Sequence, residues 1–115
     1  MKIRITHLAV ELNDCQCDLA DAKFVKRALE RSIKQTRLTP LHSYFHNFAP
    51  CGTTGVILLK ESHIAIHTWP EHRYASVDVV TCGRKSDAAR AVRALVKNFR
   101  PRRVRRQEIR RGTHL

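Results

Sequence analysis

No run of apolar residues in this 115-residue sequence approaches the roughly 18 to 20 needed to cross a bilayer. No secretory leader precedes the first strand-like segment at Ile3, so a cytoplasmic location and no membrane partner are the default expectations. No second cysteine pair accompanies Cys15-Gln16-Cys17, whose spacing is too close for a zinc knuckle, and no metal is expected. Four cysteines without a secretion signal read as thiols rather than as a disulfide framework. Gly52-Thr53-Thr54-Gly55 lacks the Gly-Lys-Ser/Thr ending of a phosphate loop. There is no repeat at a solenoid period, no linker, and no low-complexity segment besides an arginine-rich tail.

Acidic residues are also scarce at one end. Residues 1–83 carry ten Lys/Arg and eight Asp/Glu, whereas residues 84–115 carry twelve and two, so nearly all of the net charge of +12 is local to the C-terminal third. Such a tail attracts polyanions without defining what the near-neutral body does. A basic nucleic-acid-binding module led by the seven arginines between Arg100 and Arg111 is a remote alternative, with nucleic acid unfavoured as the main partner.

What is present suits one small domain spanning residues 1–115. Ile3 to Leu12 is strand-like, with β-branched residues in partial alternation. Asp18 or Asp21 is placed to cap a helix in which Phe24, Val25, Ala28, Leu29, Ser32 and Ile33 recur at three-and-four spacing. Residues 41–48, 56–60, 63–69 and 74–81 read as four strands in series, an antiparallel meander, with 49–55 as a loop. Ser86 is then expected to cap a second amphipathic helix, ended by Pro101, before a solvated edge strand over 102–111 in which Val104 and Ile109 have opposite parity. The expected class is α+β, a two-layer sandwich of one mainly antiparallel sheet with two helices on one face. On strand 63–69 one parity holds Ile64, Ile66 and Thr68 and the other His63, Ala65, His67 and Trp69, so the second face is functional or pairs with another subunit.

Taken singly, the reactive residues have bland readings. His42 with His46, and His63 with His67, are four apart in strands, where roughly 13 Å separates them, so neither pair shares one metal. A lone Cys82 is most simply a small buried apolar residue, and a lone Ser62 a turn residue. Together, the run "ESHIAIHTWPE", followed by "DVVTCG", preceded by "HLAVEL" and "FAPCGTTGV" and closed by an Arg-Val, Glu and Arg-Gly pattern, resembles the self-processing S-adenosylmethionine decarboxylase proenzymes of the short prokaryotic type. The resemblance covers nearly the whole chain.

That resemblance implies a chemistry that stands on its own terms. Decarboxylating an amino acid leaves a carbanion, which needs an electron sink that no ordinary side chain provides. A covalent pyruvoyl group made from Ser62 serves, without pyridoxal phosphate, by condensing with the substrate amine as a Schiff base. Its formation cleaves the chain between Glu61 and Ser62 into residues 1–61 and 62–115, as the serine hydroxyl attacks the Glu61 carbonyl and the resulting ester eliminates. The resemblance assigns His67 as the proton acceptor of processing and Cys82 as the proton donor of turnover. Thr54 stands where the family usually has a serine that assists processing. Phe48 matches the position that stacks adenine in similar proteins, with Trp69 close by, and Glu71 offers a carboxylate that can accept from both ribose hydroxyls. Asp78 and Glu11 are left open between structural and functional roles. The product is the aminopropyl donor of spermidine biosynthesis. The family also implies a homodimer with shared active sites, stacked as four layers, αββα. The rival substrate is arginine or another basic amino acid, used by pyruvoyl enzymes of the same fold.

Overall fold

The computed structural model describes residues 2–113. Six strands form one sheet in the order β2-β3-β4-β5-β1-β6, every neighbouring pair antiparallel. In chain order these are β1 (Ile3–Cys15), α1 (Ala22–Lys34), β2 (Pro40–Asn47), β3 (Thr53–Leu59), β4 (Ser62–Trp69), β5 (Tyr74–Thr81), α2 (Lys85–Phe99) and β6 (Pro101–Thr113). A short 3-10 turn, Pro70–His72, joins β4 to β5. The α+β class, the meander over β2 to β5 and both helices on one face are as the sequence patterns indicate.

Alternation explains which face closes. Leu8, Val10 and Leu12 of β1, Ile57 and Leu59 of β3, Ile64 and Ile66 of β4, and Val77 and Val79 of β5 share the face covered by Val25, Leu29 and Ile33 of α1 and Val92, Leu95 and Phe99 of α2. Burying each Leu, Ile or Phe contributes roughly 1.5–3 kcal/mol. The helices are also stitched together by polar groups: Ser32 Oγ donates to Ala28 O at 2.7 Å and accepts from Asn98 Nδ2 at 3.0 Å. Asp21 caps α1, its side chain accepting from Phe24 N at 3.2 Å.

Three local expectations are corrected. The N-cap of α2 is Arg84, without a side-chain cap, and Ser86 lies inside the first turn. The loop over 49–55 is shorter than expected, because Thr53, Thr54 and Gly55 already belong to β3. Gly55 suits that strand for a packing reason: a Cβ there would stand 2.4 Å from the Phe45 ring, which lies over the glycine. Cys82 is exposed rather than a buried apolar residue, since it follows the last paired residue of β5.

Among the described residues no helix covers the second face. It carries His63, Ala65, His67 and Trp69 of β4, Tyr74, Ser76 and Asp78 of β5, His7 and Glu11 of β1, and the exposed Tyr44 and Leu58 of β2 and β3. At the edge, β6 pairs only with β1, and Val104 and Ile109 lie opposite Leu12 and His7, hence on different faces. Among the described residues no helix is long and apolar enough to cross a membrane.

Candidate active site

The turn from β3 to β4 has two residues, Lys60 and Glu61, with Leu59 and Ser62 paired across it. Two-residue hairpins usually need positive φ at their central residues. Here neither turn residue has it, and the strain falls on Ser62, at φ 149°. A non-glycine residue in that region costs on the order of 1–3 kcal/mol and persists only where its surroundings hold it. The surroundings do so from two sides. Thr39 donates from its backbone N–H and its hydroxyl to the two Glu61 carboxylate oxygens, at 3.0 and 3.3 Å, and its carbonyl accepts from Lys60 N at 2.9 Å. From the other side Cys82 N–H donates to the Glu61 carbonyl oxygen at 2.8 Å.

The Glu61–Ser62 peptide is thus gripped at the acyl side chain and at the carbonyl oxygen, while the next residue is strained. A backbone donor on that oxygen stabilises negative charge developing there, as an oxyanion hole does. Ser62 Oγ lies 3.3 Å from His63 Nδ1. The Cys82 side chain is exposed beside this turn, and Gly83 N donates to the buried Thr81 Oγ1 at 2.9 Å, which fixes the bend just after Cys82.

The opposite end of β4 gathers different groups. Thr54 and His67 are cross-strand partners, and Thr54 Oγ1 lies 3.0 Å from His67 Nδ1. The His67 and Trp69 rings are 6.4 Å apart, and Trp69 and Tyr74 are 5.4 Å apart with planes tilted by 30°. Phe48 packs edge-on against His46 at 4.6 Å. Phe48 and Trp69 remain 51% and 43% exposed, too open for core residues of this size. Glu71 is exposed in the 3-10 turn directly after Pro70. Two acids left open by the sequence have partners: Glu11 accepts from Tyr74 Oη at 3.0 Å, and Asp78 pairs with His7 Nε2 at 2.9 Å. Burial first, and the Glu11 carboxylate second, raise the Tyr74 phenol above its ordinary value.

The structure therefore brings Glu61, Ser62 and Cys82 together, and separately Thr54, His67, Trp69 and Tyr74. It does not bring Ser62 to His67 within one chain. Strand β4 is unbroken from Ser62 to Trp69, and five extended residues hold those α-carbons roughly 16 Å apart. Sequence reasoning missed Thr39, the Cys82 N–H and His63. The first two act through the backbone or across more than twenty residues and leave no sequence signal. His63 was visible, but strand alternation places it on the face opposite Ser62. Among the described residues no group of three or more His, Cys, Asp or Glu is arranged to hold a metal ion.

Comparison with known proteins bears on this geometry directly. The family model described as S-adenosylmethionine decarboxylase matches residues 6–112. A Persephonella marina protein named S-adenosylmethionine decarboxylase proenzyme is 44% identical over 108 residues, covering 93% of this chain and 81% of that protein. An Aquifex aeolicus protein of the same name is 42% identical over 107 residues, covering 92% and 79%. The crystal structure of the adenosylmethionine decarboxylase from Aquifex aeolicus superposes with a TM-score of 0.91 at 39% identity, covering 100% of this chain and 96% of that one.

Proposed function

This chain belongs to the S-adenosylmethionine decarboxylase family, and we propose that it is made as a proenzyme, cleaves itself between Glu61 and Ser62 into residues 1–61 and 62–115, and then decarboxylates S-adenosylmethionine. The observation that carries this reading is the state of the one peptide bond: a strained serine whose preceding carbonyl already receives a backbone hydrogen bond. A serine in that setting fits the precursor of a pyruvoyl group, because the hydroxyl and the carbonyl it must attack belong to adjacent residues. Once formed, the group supplies the electron sink for loss of carbon dioxide.

The remaining roles fall to this chain's own side chains. Cys82, exposed beside Ser62, gives the proton that the substrate α-carbon takes up after carbon dioxide leaves. Thr54 orients the His67 ring through their 3.0 Å contact, and His67 accepts a proton during processing. Phe48 and Trp69 offer open aromatic faces to adenine, and Glu71 offers a carboxylate to the ribose hydroxyls.

His67 reaches Ser62 by dimerisation. The uncovered face, with exposed Tyr44, Phe48, Leu58 and Trp69, packs against the same face of a second copy about a two-fold axis, giving four layers. Two equivalent sites result, each with Ser62 and Cys82 from one subunit and Phe48, Thr54, His67 and Glu71 from its partner. We place the enzyme in the cytoplasm, with a soluble nucleoside as substrate.

Intact mass measurement of purified protein tests the central step. Two fragments, 1–61 and an amine-blocked 62–115, are expected, with a single uncut chain for Ser62→Ala. A Ser62→Ala chain split at the same bond would overturn the self-processing account.

A further inference from the structure

Neighbouring side chains on a strand point to opposite faces. Ser62 and His63 nevertheless meet, Oγ to Nδ1 at 3.3 Å. The backbone supplies the reason: φ at Ser62 is 149°, whereas a regular antiparallel strand has about −140°. The departure from strand geometry at this residue coincides with the serine hydroxyl's contact to the ring that follows it. Three other polar groups around the turn are engaged elsewhere. The Glu61 carboxylate is held by Thr39, Thr81 Oγ1 accepts from Gly83 N, and the Cys82 N–H is on the Glu61 carbonyl. Among the described residues, His63 is the one side chain hydrogen-bonded to Ser62 Oγ.

We infer that His63 is a catalytic residue of self-processing, the proton shuttle of its first step. This rests on the self-cleavage reading above and adds a residue to it. Nδ1 takes the hydroxyl proton as Oγ forms a bond to the Glu61 carbonyl carbon. The carbonyl oxygen gains negative charge against the Cys82 N–H. The carbon–nitrogen bond then breaks, the carbonyl re-forms, and the imidazolium returns the same proton to the departing Ser62 nitrogen. The products are an ester between the Glu61 acyl group and Ser62 Oγ, and a free amine on Ser62. Nothing is oxidised or reduced, and no proton is left over. The following elimination removes a different proton, the one on the Ser62 α-carbon, and needs its own acceptor. The two histidines of "SHIAIH" therefore divide the work: His63 acts within its own subunit to make the ester, and His67 of the partner subunit takes the α-proton as the ester eliminates.

The two steps are separable, because hydroxylamine cleaves esters but not ordinary peptide bonds at neutral pH. The parent chain, His63→Gln, His63→Ala and His67→Ala are synthesised in a cell-free system and followed by intact mass with and without hydroxylamine. Both His63 variants are expected to form ester at least about 100-fold more slowly than the parent, the usual worth of a positioned proton-transfer group, and to stay uncut in hydroxylamine. His67→Ala is expected to accumulate a chain that hydroxylamine cuts after Glu61. Added imidazole is expected to restore ester formation in His63→Ala, a response that a purely structural histidine would not give. His63→Gln keeps a hydrogen-bond acceptor, and its circular dichroism melt verifies that the fold is retained. Cleavage of folded His63→Gln and of His63→Ala within about threefold of the parent rate would overturn the assignment, as would a hydroxylamine-sensitive ester building up in both. Ser62→Ala, run alongside, separates the outcomes. If it stays intact while the His63 variants cleave normally, the shuttle is wrong and self-processing stands; if it splits, the wider reading is wrong.

Discussion

The two ends of β4 are built on opposite principles. At the Ser62 end the backbone does most of the holding: Thr39 N–H, Thr39 O and Cys82 N–H fix the turn, and one residue is strained within it. At the Trp69 end the side chains carry the character. Rings stand 5.4 to 6.4 Å apart on a regular ladder, two of the aromatic residues are largely exposed, and a carboxylate follows in a 3-10 turn. A strained, gripped peptide suits a reaction that happens once, to the protein itself. An open aromatic surface suits a ligand that arrives and leaves many times. The separation of roughly 16 Å between Ser62 and His67 keeps the two apart in one subunit, and the proposed two-fold axis across the uncovered face is what would bring them together.

The sharpest way to break this comparison is to put the defects in different subunits. Ser62→Ala and His67→Ala, each expected not to mature alone, are co-expressed with distinguishable tags. In a mixed dimer one site combines an intact Ser62 with an intact His67 from the other chain. Cleavage of the His67→Ala chain is the expected outcome, an all-or-none change. No cleavage in demonstrated mixed dimers would mean that each subunit completes its own site.

Cys82 sits at the processing end but is assigned to turnover, so it tests whether that end serves both reactions. Cys82→Ala is expected to retain its backbone N–H on the Glu61 carbonyl, and hence a route to cleavage, while losing most decarboxylation or inactivating itself by protonation at the wrong carbon. Normal turnover per mature chain, measured as carbon dioxide released, would remove the thiol from the mechanism. Slow maturation alone would not, because the exposed thiol also borders the scissile turn.

Substitutions of the ligand-facing residues at the aromatic end, Phe48 and Glu71, should be milder and confined to substrate. Phe48→Ala or Glu71→Ala is expected to mature normally and to lower kcat/KM for S-adenosylmethionine about 5- to 150-fold, a loss of roughly 1–3 kcal/mol in transition-state binding. Arginine offers neither a purine to stack nor a ribose to hold, so assays with both substrates give the discrimination directly. Efficient use of arginine together with unchanged S-adenosylmethionine kinetics in both variants would reverse the substrate assignment.

The Trp69 end was more legible in the sequence than the Ser62 end, for a physical reason. Alternation alone put His63, Ala65, His67 and Trp69 on the face opposite Ile64 and Ile66, and the paired strands keep that arrangement. The same rule failed at Ser62, where the backbone leaves the region on which alternation rests. Serine carries no sequence signal for positive φ, as glycine does. Nor can a sequence pattern show that the N–H after Thr81 turns onto the carbonyl of Glu61. The early start of β3 was missed similarly, since Gly55 reads as a turn residue until Phe45 is seen lying across it. Helix faces, by contrast, were legible almost residue by residue, because burial of Val25, Ala28, Leu29, Ser32 and Ile33 follows from spacing alone.

The smallest expected effect concerns how the aromatic end is braced. Tyr74 lies beside Trp69 and donates to Glu11 on β1, so it ties the ring cluster to the neighbouring strand. Tyr74→Phe keeps the ring and removes that hydrogen bond, which predicts a loss of about 1 kcal/mol in stability at neutral pH. The pH dependence has a definite sign. The phenol's pKa is raised in the folded chain, so the unfolded chain loses the proton first as pH rises. The contribution of the hydroxyl is therefore fully present below the ordinary tyrosine value of about 10 and is lost as pH climbs through the higher folded value. Melting curves of parent and Tyr74→Phe from pH 7 to 11 should show a gap that is constant up to about pH 9 and then narrows. A gap that widens with pH would mean that the Glu11 contact does not hold the phenol in its protonated form, and that the aromatic end is braced by ring packing alone.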